Sequence, residues 1–467
     1  MNGKKIIGLK NYPVSIISSP GFLFLIKIRV TVLKIFDLSL KINGFPLREA
    51  KAQLAAILAI PEAAYPDFIH SKKQEIVAYH LQHNTFYKQL AGNYTTWENL
   101  PVMTKKVLQR PLSERLSIGN TRKNVYCNKT SGSSGTPFIF AKDKMTHALT
   151  WASNCYRFGW YGIDFNTSLQ ARFYGIPLDF FGNRKERFKD FLGHRYRFPI
   201  FDLSDTALEK LLQHFRNKPF DYINGYTSAI VQFAKFLERN DYILSAICPS
   251  LKVCIVTSEM LFASDRELLE KQFGIPVVNE YGASELDLIA FENPKGQWQV
   301  NTETLYVEIL DDQDRVVPHG TEGRIVITSL FNTAHPFIRY DIGDIGALSV
   351  HSTPKKAILE KLVGRTNDFA LLPSGKKVPG LAFYYVTKSI IEDSGMVKEF
   401  VIRQIAADRF EIDYVSTGLL QEAMIQKMEL ALTLYLEPGL HFDFIRKNSL
   451  NRTHRGKLKQ FTSLLAK

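Results

Sequence analysis

Hydroxyls and glycines crowd into one run, Lys129-Thr130-Ser131-Gly132-Ser133-Ser134-Gly135-Thr136-Pro137. Glycine lets a backbone approach a ligand closely. Successive amides and hydroxyls then offer donors to a polyanion, and the expected polyanion for such a loop is a nucleotide triphosphate. Val125-Tyr126-Cys127 precedes the run and Phe138-Ile139-Phe140 follows it, so the pattern predicts a tight loop between two strands. No Gly-Lys-Ser/Thr ends the run and no long helical pattern follows at once, which sets it apart from the Walker loop. Taken alone, it fits a flexible Gly/Ser turn as well.

Four further motifs follow in order. They are Asn279-Glu280-Tyr281-Gly282-Ala283-Ser284-Glu285, Arg339-Tyr340-Asp341-Ile342-Gly343-Asp344, Gly364-Arg365-Thr366-Asn367-Asp368 and Arg455-Gly456-Lys457. With the Ser/Gly loop they resemble, in sequence order, the core motifs of the adenylate-forming superfamily, and most of all its phenylacetate–CoA ligase-like branch. That branch includes proteins named for capsular polysaccharide biosynthesis. The resemblance runs from the loop to Lys457, and Phe86–Leu90 with Leu100–Lys105 shares the branch's flavour. It implies ATP-dependent activation of a carboxylic acid as an acyl-adenylate, followed by transfer to coenzyme A. Transfer to an amine or hydroxyl of a sugar or lipid-linked precursor is the first alternative, and a non-catalytic binding protein of the same fold is the second. Implied cofactors are ATP, Mg²⁺ and coenzyme A. Implied partners are a small carboxylic acid, an acceptor and membrane-bound polysaccharide machinery. The expected location is cytoplasmic or peripheral at the inner membrane face. The oligomeric state stays open, a homodimer included.

Adenylation is an in-line attack on the α-phosphate, so positioning and fixed donors carry most of the catalysis. The resemblance assigns phosphate contacts to Thr130, Ser131, Gly132, Ser133, Ser134, Gly135 and Thr136. It implies that Tyr281 stacks on adenine beside Gly282, that Ser284 binds the α-phosphate, and that Glu285 holds Mg²⁺, for which a hard carboxylate oxygen is suitable. Asp344 would take both ribose hydroxyls, as a carboxylate can accept from a diol. Arg365 would contact ribose or phosphate, Asn367 and Asp368 would form a hinge, and Lys457 would be the catalytic lysine. Three positions depart from the family pattern: Phe138 where a base is common, Ile342 where Thr is usual, and Asn367 at the pivot. Lys142 and Lys144 are the nearest bases to the loop. Asn224–Ala229 and Thr257-Ser258-Glu259 resemble acyl-pocket segments, and Trp151, Trp160 and Tyr161 are either pocket walls or core.

The 467 residues are 45% hydrophobic and 22% charged, an ordinary globular balance with chain enough for two to three domains. Lys plus Arg is 59 and Asp plus Glu is 46, giving +13 and a preference for anionic partners. Zinc-finger spacing and Arg/Gly repeats are missing from the sequence, which argues against nucleic acid. Cys127, Cys155, Cys248 and Cys254 form no Cys-x-x-Cys pair, and His147, His194 and His335 show no metal spacing. So few cysteines suit a reducing compartment. Lys27, Arg29 and Lys34 interrupt the apolar stretch Val14–Leu40 too often for a membrane span, so it reads as a helix packed on the protein body, with a basic amphipathic stretch on an anionic membrane surface as the alternative.

These motifs need a scaffold. The expected fold is α/β (α+β overall). A large domain over 1–363, with a helical region over 1–100, holds mixed and parallel sheets and a barrel-like part. A small mobile α+β domain follows over 364–467. Periodicity predicts helices over 71–92, Ala207–Phe215, Thr227–Arg239, Asp265–Phe273 and near Leu419–Tyr435. Thr104 reads as a helix cap. Strands are expected at Leu251–Val256, Val277-Val278, Leu305–Leu310, Gly323–Thr328 and Ala357–Leu362.

Overall fold

The computed structural model describes residues 34–130, 138–174, 187–200, 202–365, 369–379, 397–416, 418–452 and 458–465. Ser131–Thr136, Asn367, Asp368 and Lys457 lie outside the described residues, as does most of Val14–Leu40.

A seven-stranded sheet forms the centre. Its spatial order is Trp298–Val300, Asp287–Glu292, Val277–Ala283, Val253–Thr257, Tyr222–Tyr226, Gln170–Phe173 and Arg195–Phe198. The five strands from Val277–Ala283 to Arg195–Phe198 pair in parallel, and the other two join antiparallel. Parallel strands need covering on both faces, and the sequence provides the covers. Leu208, Leu211, Leu212 and Phe215 recur at helical spacing in Asp205–Asn217 and bury one stripe on the sheet. Ser204 caps that helix by accepting from the Ala207 N–H at 3.4 Å. Ile230, Phe233, Ala234 and Leu237 do the same in Thr227–Arg239. Ala263–Phe273 stops at Gly274, whose φ of +67° is the left-handed C-terminal conformation. The opposite face packs on Phe158 of Lys144–Gly159 and on Trp160, Tyr161 and Ile163.

A second sheet joins Met103–Thr104, Tyr340–Leu348, Gly323–Ser329 and Leu305–Leu310, with Leu359–Arg365 also on Tyr340–Leu348. It is an open mixed sheet and no closed barrel among the described residues, which corrects the barrel-like expectation. The helix expected after Thr104 is also absent there. Met103–Thr104 instead pairs in parallel with Tyr340 and Asp341, and Thr104 merely closes a turn by accepting from Val107 N–H at 3.4 Å. A long-range strand partner outweighed a local capping signal.

Residues 65–91 form two helices broken at Asn84, whose side chain caps the second by accepting from Tyr87 N–H at 2.9 Å. Ile35–Ile42 and Leu47–Ala59 precede them, and Phe36 and Leu40 bury against Lys144–Gly159. Near the C-terminus, His441–Arg446, Arg409–Ser416, Val397–Ala406 and Phe461–Ser463 make a four-stranded sheet. The helix Glu422–Tyr435 packs on it through Met428 and Leu432, and this part has a hydrophobic cluster of its own. No described helix is long and apolar enough to cross a membrane.

Candidate active site

The predicted hairpin is present: Tyr126–Lys129 pairs antiparallel with Ile139–Lys142. Thr130 closes the base of the loop. Its N–H donates to the Phe138 carbonyl at 2.9 Å, and its hydroxyl accepts from Phe138 N–H at 3.2 Å. Thr130 therefore shapes the loop and keeps its hydroxyl proton for another acceptor. Phe138, the first described residue after the loop, is core. Its ring is 1% exposed, with the Arg115 guanidinium 5.2 Å from its centroid and Phe337 edge-on.

Lys142, at the far end of the hairpin, supplies a base instead. Its buried ammonium pairs with Asp287, which also accepts from the Thr150 hydroxyl at 2.7 Å. Burial pushes the lysine down to about 7, and the nearby Glu285 charge opposes that fall. Asp287 takes a φ of +60°, uncommon outside glycine and found where surrounding contacts hold a strained turn.

Tyr281 and Gly282 lie inside the strand Val277–Ala283, and Ser284, Glu285 and Leu286 make the turn to Asp287–Glu292. The register shifts between Tyr281 and Gly282. A Cβ on Gly282 would sit 2.7 Å from the Asp287 carbonyl oxygen, so the close crossing requires glycine there. The Tyr281 ring packs beside Trp298, with centroids 6.1 Å apart. Its hydroxyl donates to Asp344 Oδ2 at 2.7 Å. Glu285, equally buried, accepts from the Tyr340 hydroxyl at 2.9 Å. Two tyrosine–carboxylate bonds thus tie the Tyr281 motif to the Tyr340 motif.

The Arg339–Asp344 motif divides its labour. Arg339 is fully buried and donates to the carbonyls of Glu98, Leu100 and Asp314 at 2.7, 2.9 and 3.1 Å. Asp341 accepts from Arg324 at 2.9 Å and from Gly343 N–H at 2.8 Å. Those two residues hold the strand, and Tyr340 and Asp344 face the site. Antiparallel register sets Arg365 directly opposite Asp344.

Lys457 lies outside the described residues, and Arg452 and Leu458 are the nearest described residues in the chain on either side. Arg452 and Leu458 bridge each other across the intervening segment. Leu458 N–H donates to Glu259 Oε1 at 3.1 Å, and Glu259 Oε2 accepts from Ser228 N–H at 2.7 Å. Arg452 pairs with Glu399. Leu458 is therefore held on Glu259, two residues past the Val253–Thr257 strand, on the carboxyl side of the sheet where open α/β folds bind ligands.

Trp160 and Tyr161 belong to the core under the sheet, and Trp151 packs on Phe36 and Phe165. Sequence reasoning passed over Tyr340 and Asp287 as site residues. Tyr340 was readable as part of its motif; Asp287 follows the Glu285 motif by two residues and carries no signal of its own.

A 2-hydroxyisobutyryl-CoA ligase in the postadenylation state, in complex with 2-HIB-AMP, matches with a TM-score of 0.66 at 18% identity, over 86% of this chain and 90% of that one. In sequence, the chain is 25% identical to Protein CapK of Staphylococcus aureus over 411 residues, 80% of this chain and 84% of CapK. It is 30% identical to the phenylacetate-coenzyme A ligase of Aromatoleum evansii over 181 residues, 37% of this chain and 40% of that ligase. No protein-family model matches the chain. The chain is thus similar in sequence to CapK and to phenylacetate-coenzyme A ligases, and in fold to an acyl-CoA ligase.

Proposed function

We propose that the protein uses ATP to activate a carboxylic acid as its acyl-adenylate and then passes the acyl group to coenzyme A. One observation carries this reading. The bonds Tyr281–Asp344 and Tyr340–Glu285 join two distant motifs into one cluster, and register places Arg365 across from Asp344. A scaffold without nucleotide chemistry has no use for two buried carboxylates held this way, since burial penalises each.

ATP, when bound, supplies the activated α-phosphate and the pyrophosphate leaving group. The residues present fit it. Asp344 is a carboxylate suited to a ribose diol, and Tyr281 offers a ring edge beside it. Arg365 stands opposite Asp344 in the register of the same strand pair. Ser284 stands in the turn, and the Ser131–Thr136 loop springs from the Thr130–Phe138 base. Glu285 is the residue to hold Mg²⁺. No cluster of three or more metal-ligating side chains occurs among the described residues, so the phosphates and water would complete the coordination. Lys142 adds a buried positive charge beside Glu285. Lys457 is assigned the catalytic ammonium, supported by the anchoring of the next residue, Leu458, on Glu259. We further assign 1–363 to a large domain and 364–467 to a small one that turns at Asn367-Asp368, supported by the separate C-terminal core.

The acceptor is the finer point. The chain aligns over 80% of its length with CapK, whose name states no acceptor, and over 37% with a ligase named for coenzyme A. A sugar or lipid-linked amine or hydroxyl is therefore the second acceptor to try. Incubation with ATP and a panel of acids, with pyrophosphate release followed first and acyl-CoA or acyl-sugar formation second, tests both steps.

A further inference from the structure

The carboxyl ends of four neighbouring strands carry a polar row on one face of the central sheet. Register aligns Arg172 with Asn224 and Asn224 with Ile255; two residues further on, Thr257 aligns with Glu280. Toward the other end the same face is apolar, with Val253, Ile255 and Val278 packed on Phe158, Ile163 and Phe291. Successive strand residues alternate between faces, so the polar groups replace what would otherwise continue as core. Burying them is costly unless they are bonded.

Part of the row satisfies itself. Gln170 Nε2 donates to Asn224 Oδ1 at 3.1 Å, Asn224 Nδ2 donates to the Ile255 carbonyl at 3.1 Å, and the Thr257 hydroxyl donates to Glu280 Oε1 at 2.9 Å. The row also holds a charge of each sign, Arg172 and Glu280. The Arg172 guanidinium lies 4.3 Å from the Tyr174 ring centroid, and its buried Nε has no hydrogen-bond partner among the described residues. Burial raises the Glu280 carboxyl, and the Thr257 hydrogen bond and the Arg172 charge pull it back down. Glu280 is also the residue immediately before Tyr281, so the row runs into the nucleotide cluster.

We propose that Glu280 and Arg172 select a polar acid, one whose hydroxyl or amino group donates to Glu280 while Arg172 takes an oxygen of the same molecule. This rests on the adenylation reading above. A plain aryl or alkyl acid in the same place would strip water from both charges and return no hydrogen bond, which is how a polar site rejects an apolar isostere.

The test is acid-dependent pyrophosphate exchange into ATP by the full-length protein, with matched acids. Hydroxy- and aminobutyrates are set against butyrate, and ring-hydroxylated and ring-aminated phenylacetates against phenylacetate. The wild type should prefer a substituted acid by about 100-fold or more in kcat/KM. Glu280→Leu should bring that ratio within about tenfold and raise exchange with the plain acid. Glu280→Gln, which keeps shape and hydrogen bonding, should hold the hydroxy preference and lose an amino preference, separating the two donors. Arg172→Met should depress only the substituted acids. Plain acids favoured by the wild type, or ratios unmoved in variants that melt like the wild type, overturn the inference and leave adenylation standing. Exchange with no acid overturns adenylation itself, and this inference with it.

Discussion

Asp344 is the residue on which the nucleotide assignment turns. Its carboxylate is fixed by the Tyr281 hydroxyl at 2.7 Å, so it is orientated before any ligand arrives. Asp344→Asn retains the size and loses the charge. It should raise KM for ATP about tenfold, the worth of one hydrogen bond to a charged group, with little change in melting temperature. Tyr281→Phe should do the same more weakly, because it frees the carboxylate without removing it. An unchanged KM for ATP in Asp344→Asn would take the residue out of the site. Lys142 shows what residue types alone conceal. It is one of two bases near the loop in the sequence, and nothing local says that it, rather than Lys144, is buried against Asp287. Arg172 and Glu280 were equally silent, since they meet only once separate strands pair.

At the scale of elements, the turn between Val277–Ala283 and Asp287–Glu292 positions Ser284 and Glu285. It works because Gly282 lets the Asp287 carbonyl approach. Gly282→Ala should cost about 2 kcal/mol or more, as overpacking against backbone does. Exchange activity should fall with it, because the turn must shift. Urea unfolding and exchange read on the same preparation check this, and a neutral substitution would mean that the crossing is looser than described. Elements built from local pattern were legible in the sequence. Thr227–Arg239 and Leu305–Leu310 have the ends that periodicity and alternation predict, because their apolar stripes are continuous. Thr104 failed because its partner, Asp341, is remote in the chain. The strand Val277–Ala283 ran past its expected end, since pairing with Asp287–Glu292 extends it through the Tyr281 motif.

Three histidines buried in different parts of the molecule, His80, His147 and His335, have their values lowered by burial, and this makes the molecule sensitive to acid. His80 shares its ring between the Asn332 carbonyl at 2.8 Å and the Ser117 hydroxyl at 3.2 Å. Burial lowers it to about 4. His147 is lowered to about 3, first by burial and then by the Lys142 charge, and accepts from the Trp151 indole at 3.2 Å. His335 is lowered too, by burial and by Arg115. A folded-state value below the unfolded one means the unfolded chain takes up protons first. The stability these groups hold is complete above about pH 6.5 and drains away as the pH falls toward 4. The loss at pH 5 should be on the order of 1–2 kcal/mol per histidine. Chemical denaturation at pH 7.5 and 5 measures it, and equal stability at both would show that these rings can charge in place. The similarity to CapK and to phenylacetate-coenzyme A ligases was legible from five motifs in order. The open second sheet was not, because closure or its absence depends on strand pairing that alternation cannot specify.

The central claim is acid-dependent adenylation completed by a C-terminal lysine, and acid-dependent exchange of labelled pyrophosphate into ATP tests it most directly. Wild type and Lys457→Ala are to be compared on the same acids, with ATP binding measured separately. The account predicts exchange that requires an acid in the wild type and falls about 100-fold or more in the variant, with ATP affinity and melting temperature close to unchanged. A folded, ATP-binding wild type that exchanges with no acid would contradict the function. Full exchange in Lys457→Ala would contradict the assignment of the lysine.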